Sequence, residues 1–253
     1  MSRPWILAET NWEVVRQTEY RVAVLPWGAT EAHNRHLPYA TDTIQSEAVA
    51  AMAAERAWNA GARVLVLPAV PFGVQTGQRE VPFCLNMNPS TQRAVIRDLV
   101  ESLIDHGVDK LVILNGHGGN DFRQIIRELQ GEVPILVAQV NWYQVADARE
   151  HFAEPGDHAG ELETSVTMHL RPELVRPLSE AGPGAARQFT VRGFREGWAW
   201  TPRHWVSVTD DTGVGDPRQA TAAKGAAFLE AVVEKIATFL VELAAVGDDG
   251  LYE

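Results

Sequence analysis

Four short, uninterrupted apolar runs constrain the fold of this chain more than any other feature. They lie at residues 22–25, 64–67, 111–114 and 135–138. A strand with one face in water alternates apolar and polar residues, so continuous runs indicate strands that are covered on both faces. Helix-length segments at 43–59, 90–106 and 121–130 separate the runs. This alternation predicts an α/β fold with three layers, in which helices cover both faces of a mainly parallel sheet.

The chain is predicted to form a single domain over residues 1–253. It contains no internal repeat and no linker long enough to divide it. Asp216 and Pro217 predict the start of the last helix, because aspartate is a favoured N-cap and proline suits the first helical position. Apolar residues at helical spacing follow this start: Leu229, Val233, Ile236, Leu240 and Leu243.

Composition excludes several classes of protein. Aspartate and glutamate total 33 against 22 lysines and arginines, a formal net charge of −11, which argues against a nucleic-acid partner. No apolar stretch approaches the roughly 18–20 residues of a membrane helix, and the first residues lack the apolar core of a signal peptide. The single cysteine, Cys84, indicates a reducing compartment. We expect a cytoplasmic protein without a membrane partner.

Potential metal ligands follow the first apolar run. In open parallel sheets, ligands bind beyond the carboxyl ends of the strands. Glu31 and His33 are two residues apart, so in an extended segment both side chains point to the same side. Asp42 lies just before a predicted helix, where it could instead be an N-cap, a role that Thr43 could serve equally well.

A glycine-rich segment follows the third run. Residues 115–120 read Asn-Gly-His-Gly-Gly-Asn, so the residues around His117 are glycines without side chains, and other groups can approach their backbone closely. The segment lacks the Gly-Lys-Ser/Thr ending of a phosphate loop and the spacing of a dinucleotide fingerprint. The pattern therefore favours a metal-binding or catalytic histidine over a phosphate site.

A third cluster occupies residues 156–165, at the predicted start of another helix. His158 and Glu161 are three residues apart and would share a helical face. Glu163 would point elsewhere, and we interpret it as a first-turn carboxylate favoured by the helix dipole.

The three clusters together resemble the creatininase (creatinine amidohydrolase) family in order and spacing. The resemblance rests on Gly-Ala-Thr-Glu-Ala-His-x-x-His-Leu-Pro-x-x-Thr-Asp at 28–42, Asn-Gly-His-Gly-Gly-Asn at 115–120 and His-Ala-Gly-Glu-x-Glu-Thr-Ser at 158–165. It extends from Leu-Ala-Glu-Thr-Asn-Trp at 7–12 to Ala-Thr-Ala-Ala-Lys-Gly at 220–225, almost the whole chain.

The resemblance implies a two-metal site. Glu31, Asp42 and His117 would hold one ion, and His33, Asp42 and Glu161 would hold the other, with Asp42 as the bridge. Some family members take a ligating glutamate from the position of Gly119, and Glu161 is then the natural replacement.

This ligand set also suits the chemistry. Mixed imidazole and carboxylate ligands favour Zn²⁺ or Mn²⁺, with iron as a further option. Two such ions about 3.5–4 Å apart lower the pKa of a bridging water toward 7 and polarise a carbonyl. The implied reaction is hydrolysis of a carbon–nitrogen bond in a small amide, cyclic amide or formamide. His158 would carry a proton to the leaving nitrogen, oriented by Asp157, and Glu161 completes the predicted catalytic residues.

Departures from the family leave the substrate open. Residues 73–89 lack the Glu-His and Phe-Pro-Gly-Thr patterns of the corresponding loop, and no tryptophan precedes His158, which disfavours creatinine. Asn34 replaces a common glycine, a tolerable change if the position needs a positive φ. The alternatives are a peptidase that trims a modified precursor peptide and a formylamino-pyrimidine deformylase. A less favoured one is a non-catalytic binding protein that kept the fold.

Two further features stay open at the sequence level. The aromatic segment from Trp198 to Trp205 could form a substrate wall, but such segments more often supply core or subunit interface. His36 could support the ligands or the substrate pocket, or serve only the structure. The family resemblance also implies a homo-oligomer, with a hexamer as one possibility.

Overall fold

The four apolar runs form one parallel sheet. The computed structural model describes residues 3–247 and 250–252, so residues 1, 2, 248, 249 and 253 of the predicted 1–253 domain lie outside the described residues. The strands are β1 (Val22–Trp27), β2 (Val64–Val66), β3 (Lys110–Asn115) and β4 (Leu136–Asn141), in the order β2-β1-β3-β4. Each neighbouring pair is parallel. The predicted α/β class with a parallel sheet is confirmed.

Helices follow or separate the strands as the sequence predicts. The described helices are α1 (Trp12–Val15), α2 (Thr41–Asn59), α3 (Pro89–Asp105), α4 (Arg123–Leu129), α5 (Glu161–Leu170), α6 (Arg192–Arg195), α7 (Trp205–Val208) and α8 (Ala222–Ala245). Helix α3 begins with Pro89 at a position where proline costs no hydrogen bond. The chain leaves it through Gly107, whose φ of 74° is the left-handed conformation that favours glycine.

Each face of the sheet has its own apolar core. Alternate residues of β1 point to opposite sides, so Val22 and Val24 pack against α2, α5 and α8, whereas Ala23 and Leu25 pack against α3 and α4. The side chains of β3 divide in the same way. The sheet is therefore the middle of three layers, which explains why its strands are apolar without alternation.

The last helix begins later than predicted. Asp216 is not its N-cap, because the Asp216 carboxylate accepts hydrogen bonds from the backbone and side chain of Arg218 within a turn. Helix α8 starts at Ala222, where the Thr221 hydroxyl caps it by accepting the Lys224 N–H at 3.3 Å. None of the described helices combines the length and apolar character that crossing a membrane requires.

The strand order determines where a ligand can bind. Strand β2 lies on one side of β1, whereas β3 and then β4 lie on its other side. The loops after β1 and β3 therefore diverge at the carboxyl edge of the sheet and leave a crevice there.

Candidate metal centre

Buried acids and histidines from four parts of the chain meet in this crevice. Glu31 and His33 lie in the loop after β1, Asp42 is the second residue of α2, and His117 follows β3. Glu163, in the first turn of α5, completes the group. Three sets have ligand atoms within 4.8 Å of one another. Two of them share Asp42, namely Glu31, Asp42 and His117, and His33, Asp42 and Glu163, and the third is Glu31, His33 and His158.

The distances make Asp42 the centre of the group. Its Oδ2 is 3.2 Å from Nδ1 of His117, which is also 2.8 Å from Oε1 of Glu31. Its Oδ1 is 3.0 Å from Nε2 of His33, which lies 4.0 Å from Oε2 of Glu163. The two oxygens of one carboxylate thus face two different sets of partners, as a bridging ligand requires.

Backbone carbonyls orient the imidazoles. Nδ1 of His33 donates to the Glu31 carbonyl at 3.1 Å, and Nε2 of His117 donates to the Val74 carbonyl at 3.0 Å. A carbonyl oxygen only accepts, so these contacts fix the tautomer when each ring is neutral. The other nitrogen of each ring then presents its lone pair to the carboxylates, which is how ligating histidines are held in metal sites.

The charges of the group favour a bound cation. Burial alone would lower the pKa of His33, but the carboxylates of Asp42 and Glu163 outweigh burial and raise the pKa to about 10. Glu31 and Asp42 likewise raise the pKa of the buried His117. Burial would raise the pKa of Asp42, yet His33 and His117 lower it. The same excess of negative charge that holds protons on these rings would hold a divalent ion.

The donor set fits two divalent ions. Three carboxylates and two imidazoles converge, all of them mostly buried, and Oδ2 of Asp42 has no hydrogen-bond donor among the described residues. Buried carboxylates are costly unless they are paired or bind a metal. Imidazole together with carboxylate is a ligand set typical of zinc and manganese.

Glu161 is turned away from this group, contrary to the sequence prediction. Its buried carboxylate pairs with Nζ of Lys224 and accepts the Glu154 N–H at 3.1 Å. The difference arises because α5 begins at Glu161, so His158 precedes the helix instead of sharing a face with Glu161. Glu163, interpreted from the sequence as a simple first-turn carboxylate, takes the place predicted for Glu161.

Gly119 leaves no room for a ligating side chain. A Cβ at this position would lie 2.3 Å from the Val74 carbonyl oxygen and 2.4 Å from Nε2 of His117. The loop after β2 therefore packs directly against the backbone at Gly119. A glutamate at this position would clash in this loop conformation, and the carboxylate of Glu163 lies near His33 instead.

Comparison with known proteins identifies the family. The family described as Creatininase, creatinine amidohydrolase, matches residues 8–240. This chain belongs to the creatininase family. The matched region, residues 8–240, contains all the residues of the metal-ligand group.

Individual relatives of this creatininase-family chain differ in their described activities. A mycofactocin precursor peptide peptidase from Mycobacterium tuberculosis (strain CDC 1551 / Oshkosh) is 32% identical over 228 residues, which cover 83% of this chain and 81% of the relative. A crystal structure from Bacteroides fragilis NCTC 9343, provisionally named creatinine amidohydrolase, is 45% identical with a TM-score of 0.94 and covers both chains completely. A manganese form of creatininase is 23% identical, covers 96% of this chain and 100% of its own, and shares the fold with a TM-score of 0.77.

His158 borders the ligand group of this creatininase-family protein. Its ring is 4.2 Å from that of His33 between centroids, and its Nδ1 is 3.9 Å from Oε1 of Glu31. Nε2 of His158 donates to the Ala32 carbonyl at 2.8 Å, so in the neutral ring Nδ1 carries the lone pair. Asp157 pairs with Arg203 at 2.5 Å. The Ala32 carbonyl, and not Asp157 as the sequence predicted, orients the ring.

Sequence reasoning missed Gln78. Its buried side-chain amide donates to Oε2 of Glu31, the oxygen opposite the one that faces His117. The carbonyl oxygen of the Gln78 side chain faces the Cys84 thiol at 3.4 Å, and the Cys84 sulfur accepts the Ala32 N–H at 3.3 Å. No sequence pattern marks this role, because the burial of Gln78 and its contact with Glu31 arise only when the loop packs in the fold. The contact fixes which Glu31 oxygen is available to an ion.

A cavity of about 470 Å³ opens over the ligand group. Trp200, Trp205, Phe189 and Arg203 line it together with the turn Thr76–Gln78. The aromatic segment is thus partly a cavity wall, although Trp198 is largely exposed and does not line the cavity. The remaining lining residues are Glu31, Asp42, Val74, Gln75, His117, Gly118, Gly119, Asp157, His158, Glu163, Thr201 and Pro202.

His36 and Asn34 position the loop between β1 and α2. Nε2 of His36 lies 2.8 Å from the Thr164 hydroxyl, which ties the loop to α5, and His36 does not line the cavity. Burial lowers the pKa of His36 to about 4, so the ring is neutral. Asn34 has a φ of 54° and bonds through its side chain to both backbone groups of Gly182. The left-handed conformation explains why this position tolerates asparagine in place of glycine.

Proposed function

We propose that this cavity is the active site of a dinuclear-metal amidohydrolase that hydrolyses a carbon–nitrogen bond of a small amide, cyclic amide or formamide. The observation that carries the proposal is the double use of Asp42, whose two oxygens face separate pairs of ligands. In the proposed site, Glu31, Asp42 and His117 hold one ion, and His33, Asp42 and Glu163 hold the other.

Zinc or manganese would supply the chemistry that these side chains lack. When bound, such ions activate a water molecule and polarise the substrate carbonyl. Creatininase structures in a manganese form and in a Zn–Zn form support this choice of metals. Asp42, Glu31 and Glu163 bring three negative charges that balance most of the charge of two dications.

His158 is the proposed proton carrier. Its Nε2 is engaged by the Ala32 carbonyl, so Nδ1 is the atom that can take up a proton. Nδ1 lies beside Glu31 at the edge of the cavity, where it could pass that proton to the leaving nitrogen. The rings of His33 and Trp205 pack against His158 and limit its rotation.

A second candidate is a peptidase that trims a modified precursor peptide. The relative with this description is 32% identical and covers most of this chain. The cavity is also open to solvent on the side of Trp200, which is 83% exposed, so a longer substrate could extend outward. We further propose that the protein acts as a homo-oligomer in the cytoplasm, in keeping with the family resemblance.

Metal analysis tests the proposal directly. We expect purified protein reconstituted with Zn²⁺ or Mn²⁺ to bind two equivalents, and Asp42→Ala to lose both ions and all turnover. Fewer than one equivalent in the wild type after reconstitution would contradict the proposal. A panel that contains simple amides, formamides and a C-terminally extended peptide then separates the two candidate activities.

A further inference from the structure

One cationic side chain, that of Arg203, lines the described part of the cavity. Among the described residues that line the cavity, Arg203 is the single lysine or arginine. Its neighbours on that wall are aromatic, Trp200 and Trp205. A lone guanidinium among aromatic rings differs chemically from the rest of this acidic site.

Arg203 is held by its surroundings. Its guanidinium carbon lies 4.5 Å from the centroid of the Trp205 ring, a cation–π contact. The Trp205 ring is buried, and its Nε1 donates to the Thr212 carbonyl at 3.0 Å, so this platform is fixed. The backbone of Arg203 packs closely against Gly77. A Cβ added at Gly77 would lie only 2.0 Å from the carbonyl oxygen of Arg203.

The pair between Arg203 and Asp157 orients the guanidinium more than it stabilises the fold. Nη1 of Arg203 is 2.5 Å from Oδ2 of Asp157, and the two side chains are 38% and 57% exposed. Ion pairs this exposed contribute about 0–1 kcal/mol to stability. Within residues 3–247 and 250–252, the guanidinium of Arg203 pairs with Asp157 through Nη1, and its Nε and Nη2 groups face no carboxylate. Donors therefore remain for a ligand.

We propose that Arg203 binds a carboxylate at the far end of the substrate, so that the substrate is an N-acyl amino acid or a short peptide with a free C-terminus. A guanidinium presents donors in a fork that matches a carboxylate. A single guanidinium, already shared with Asp157, suits one negative charge better than the two of a phosphate monoester. The proposal rests on the proposed amidohydrolase function and narrows its substrate class.

The spacing limits the length of the substrate. The Trp205 ring contacts both the proposed proton carrier and the proposed carboxylate-binding residue. Its centroid is 5.3 Å from that of the His158 ring and 4.5 Å from the guanidinium carbon of Arg203. An extended chain advances about 3.3–3.6 Å per residue. The carboxylate therefore lies no more than about three residues beyond the bond that is cut.

Calorimetric titration of the metal-loaded protein with matched ligands tests the proposal. N-acetyl-L-phenylalanine carries the carboxylate, its C-terminal amide does not, and phenyl phosphate provides a dianion. We expect the acid to bind at least about tenfold more tightly than the amide, the effect of one charged hydrogen-bonded pair. This preference should fall to about one in Arg203→Gln and be intermediate in Arg203→Lys. It should persist in Arg79→Gln, since Arg79 is exposed and outside the cavity.

Three results would overturn the proposal. They are an acid that binds no better than the amide in the wild type, a preference that survives in Arg203→Gln, and tighter binding of phenyl phosphate than of the acid. The metal content of each variant is measured in parallel. Loss of the preference with the metal retained supports the role of Arg203, whereas a wild type without metal contradicts the proposed function instead.

Discussion

At the scale of single residues, each proposed ligand depends on a neighbour that orients it. Backbone carbonyls of Glu31 and Val74 fix the rings of His33 and His117, and Gln78 fixes the carboxylate of Glu31. Such outer contacts determine which atom faces the ion and with what geometry. Substitutions that leave every ligand in place should therefore still disturb the centre.

Gly119 provides the sharpest example. We expect Gly119→Ala to push the His117 ring or the Val74 carbonyl out of position, because the new Cβ would lie within 2.4 Å of both. The strain should cost about 1–3 kcal/mol of unfolding free energy and weaken metal binding. Gly118→Ala is the matched control, since nothing lies within 4 Å of a Cβ there. Denaturant unfolding and metal titration of the two variants check this, and equal behaviour would contradict it.

Gln78 should affect metal affinity without being a ligand. In Gln78→Leu, Glu31 loses the donor that holds its second oxygen, and we expect about 10- to 100-fold weaker metal binding. Gln75→Leu serves as the control, because Gln75 is a buried glutamine of the same loop that bonds to the Thr30 carbonyl and not to a proposed ligand. Competition with a chelating dye measures the metal dissociation constant of each variant. A similar loss in the two variants would indicate a general effect on the loop.

At the scale of elements, the sequence predicts the sheet and the loops that bear ligands, but not the start of α5. Apolar runs and glycines locate β1, β3 and the loops after them, which places Glu31, His33, Asp42 and His117 correctly at one edge. The choice between Glu161 and Glu163 depends on where the helix begins. Glu163 stands at the third helical position, and its carboxylate folds back to accept the N–H of Ala159, the residue before the N-cap Gly160.

That assignment can be tested within the helix. We expect Glu163→Gln to lose an ion, whereas Glu161→Gln should keep both ions and lose only its pairing with Lys224. Because Glu161 is buried, removing Lys224 instead should cost about 3–5 kcal/mol through an uncompensated carboxylate. Metal content and thermal unfolding of Glu161→Gln, Glu163→Gln and Lys224→Met distinguish these effects. Loss of metal from Glu161→Gln alone would reverse the assignment.

At the scale of the whole molecule, contacts between segments far apart in the sequence bring the proposed ligands together. No local sequence pattern encodes these contacts. The loop after β2 covers His117, and α8 packs so closely on α5 that a Cβ at Gly225 would lie 2.1 Å from the Ser165 carbonyl oxygen. Gln78 and the cavity wall from Phe189 to Trp205 come from irregular segments whose positions depend on such packing. Periodicity predicts helices and strands, but it does not predict how loops dock.

Metal removal should therefore lower the stability of the whole fold. An ion that binds the folded state alone stabilises it by about 2.7 kcal/mol at one hundred times its dissociation constant. We expect a chelator to lower the Tm of the wild type by about 5 °C or more. The Asp42→Ala variant should respond little, because it lacks the carboxylate shared by both sets. Calorimetric scans with and without chelator check this, and an unchanged wild-type Tm would contradict it.

The wide separation of the ligands along the chain has a consequence for how the protein is made. The first proposed ligand is Glu31 and the last is Glu163, and α8, which covers α5, ends only at Ala245. During synthesis, a ribosome-bound chain carries Glu31, His33, Asp42 and His117 long before α5 can dock. We expect the second ion to enter only after nearly the entire polypeptide has emerged, so that metal capture marks the completion of folding and does not nucleate it.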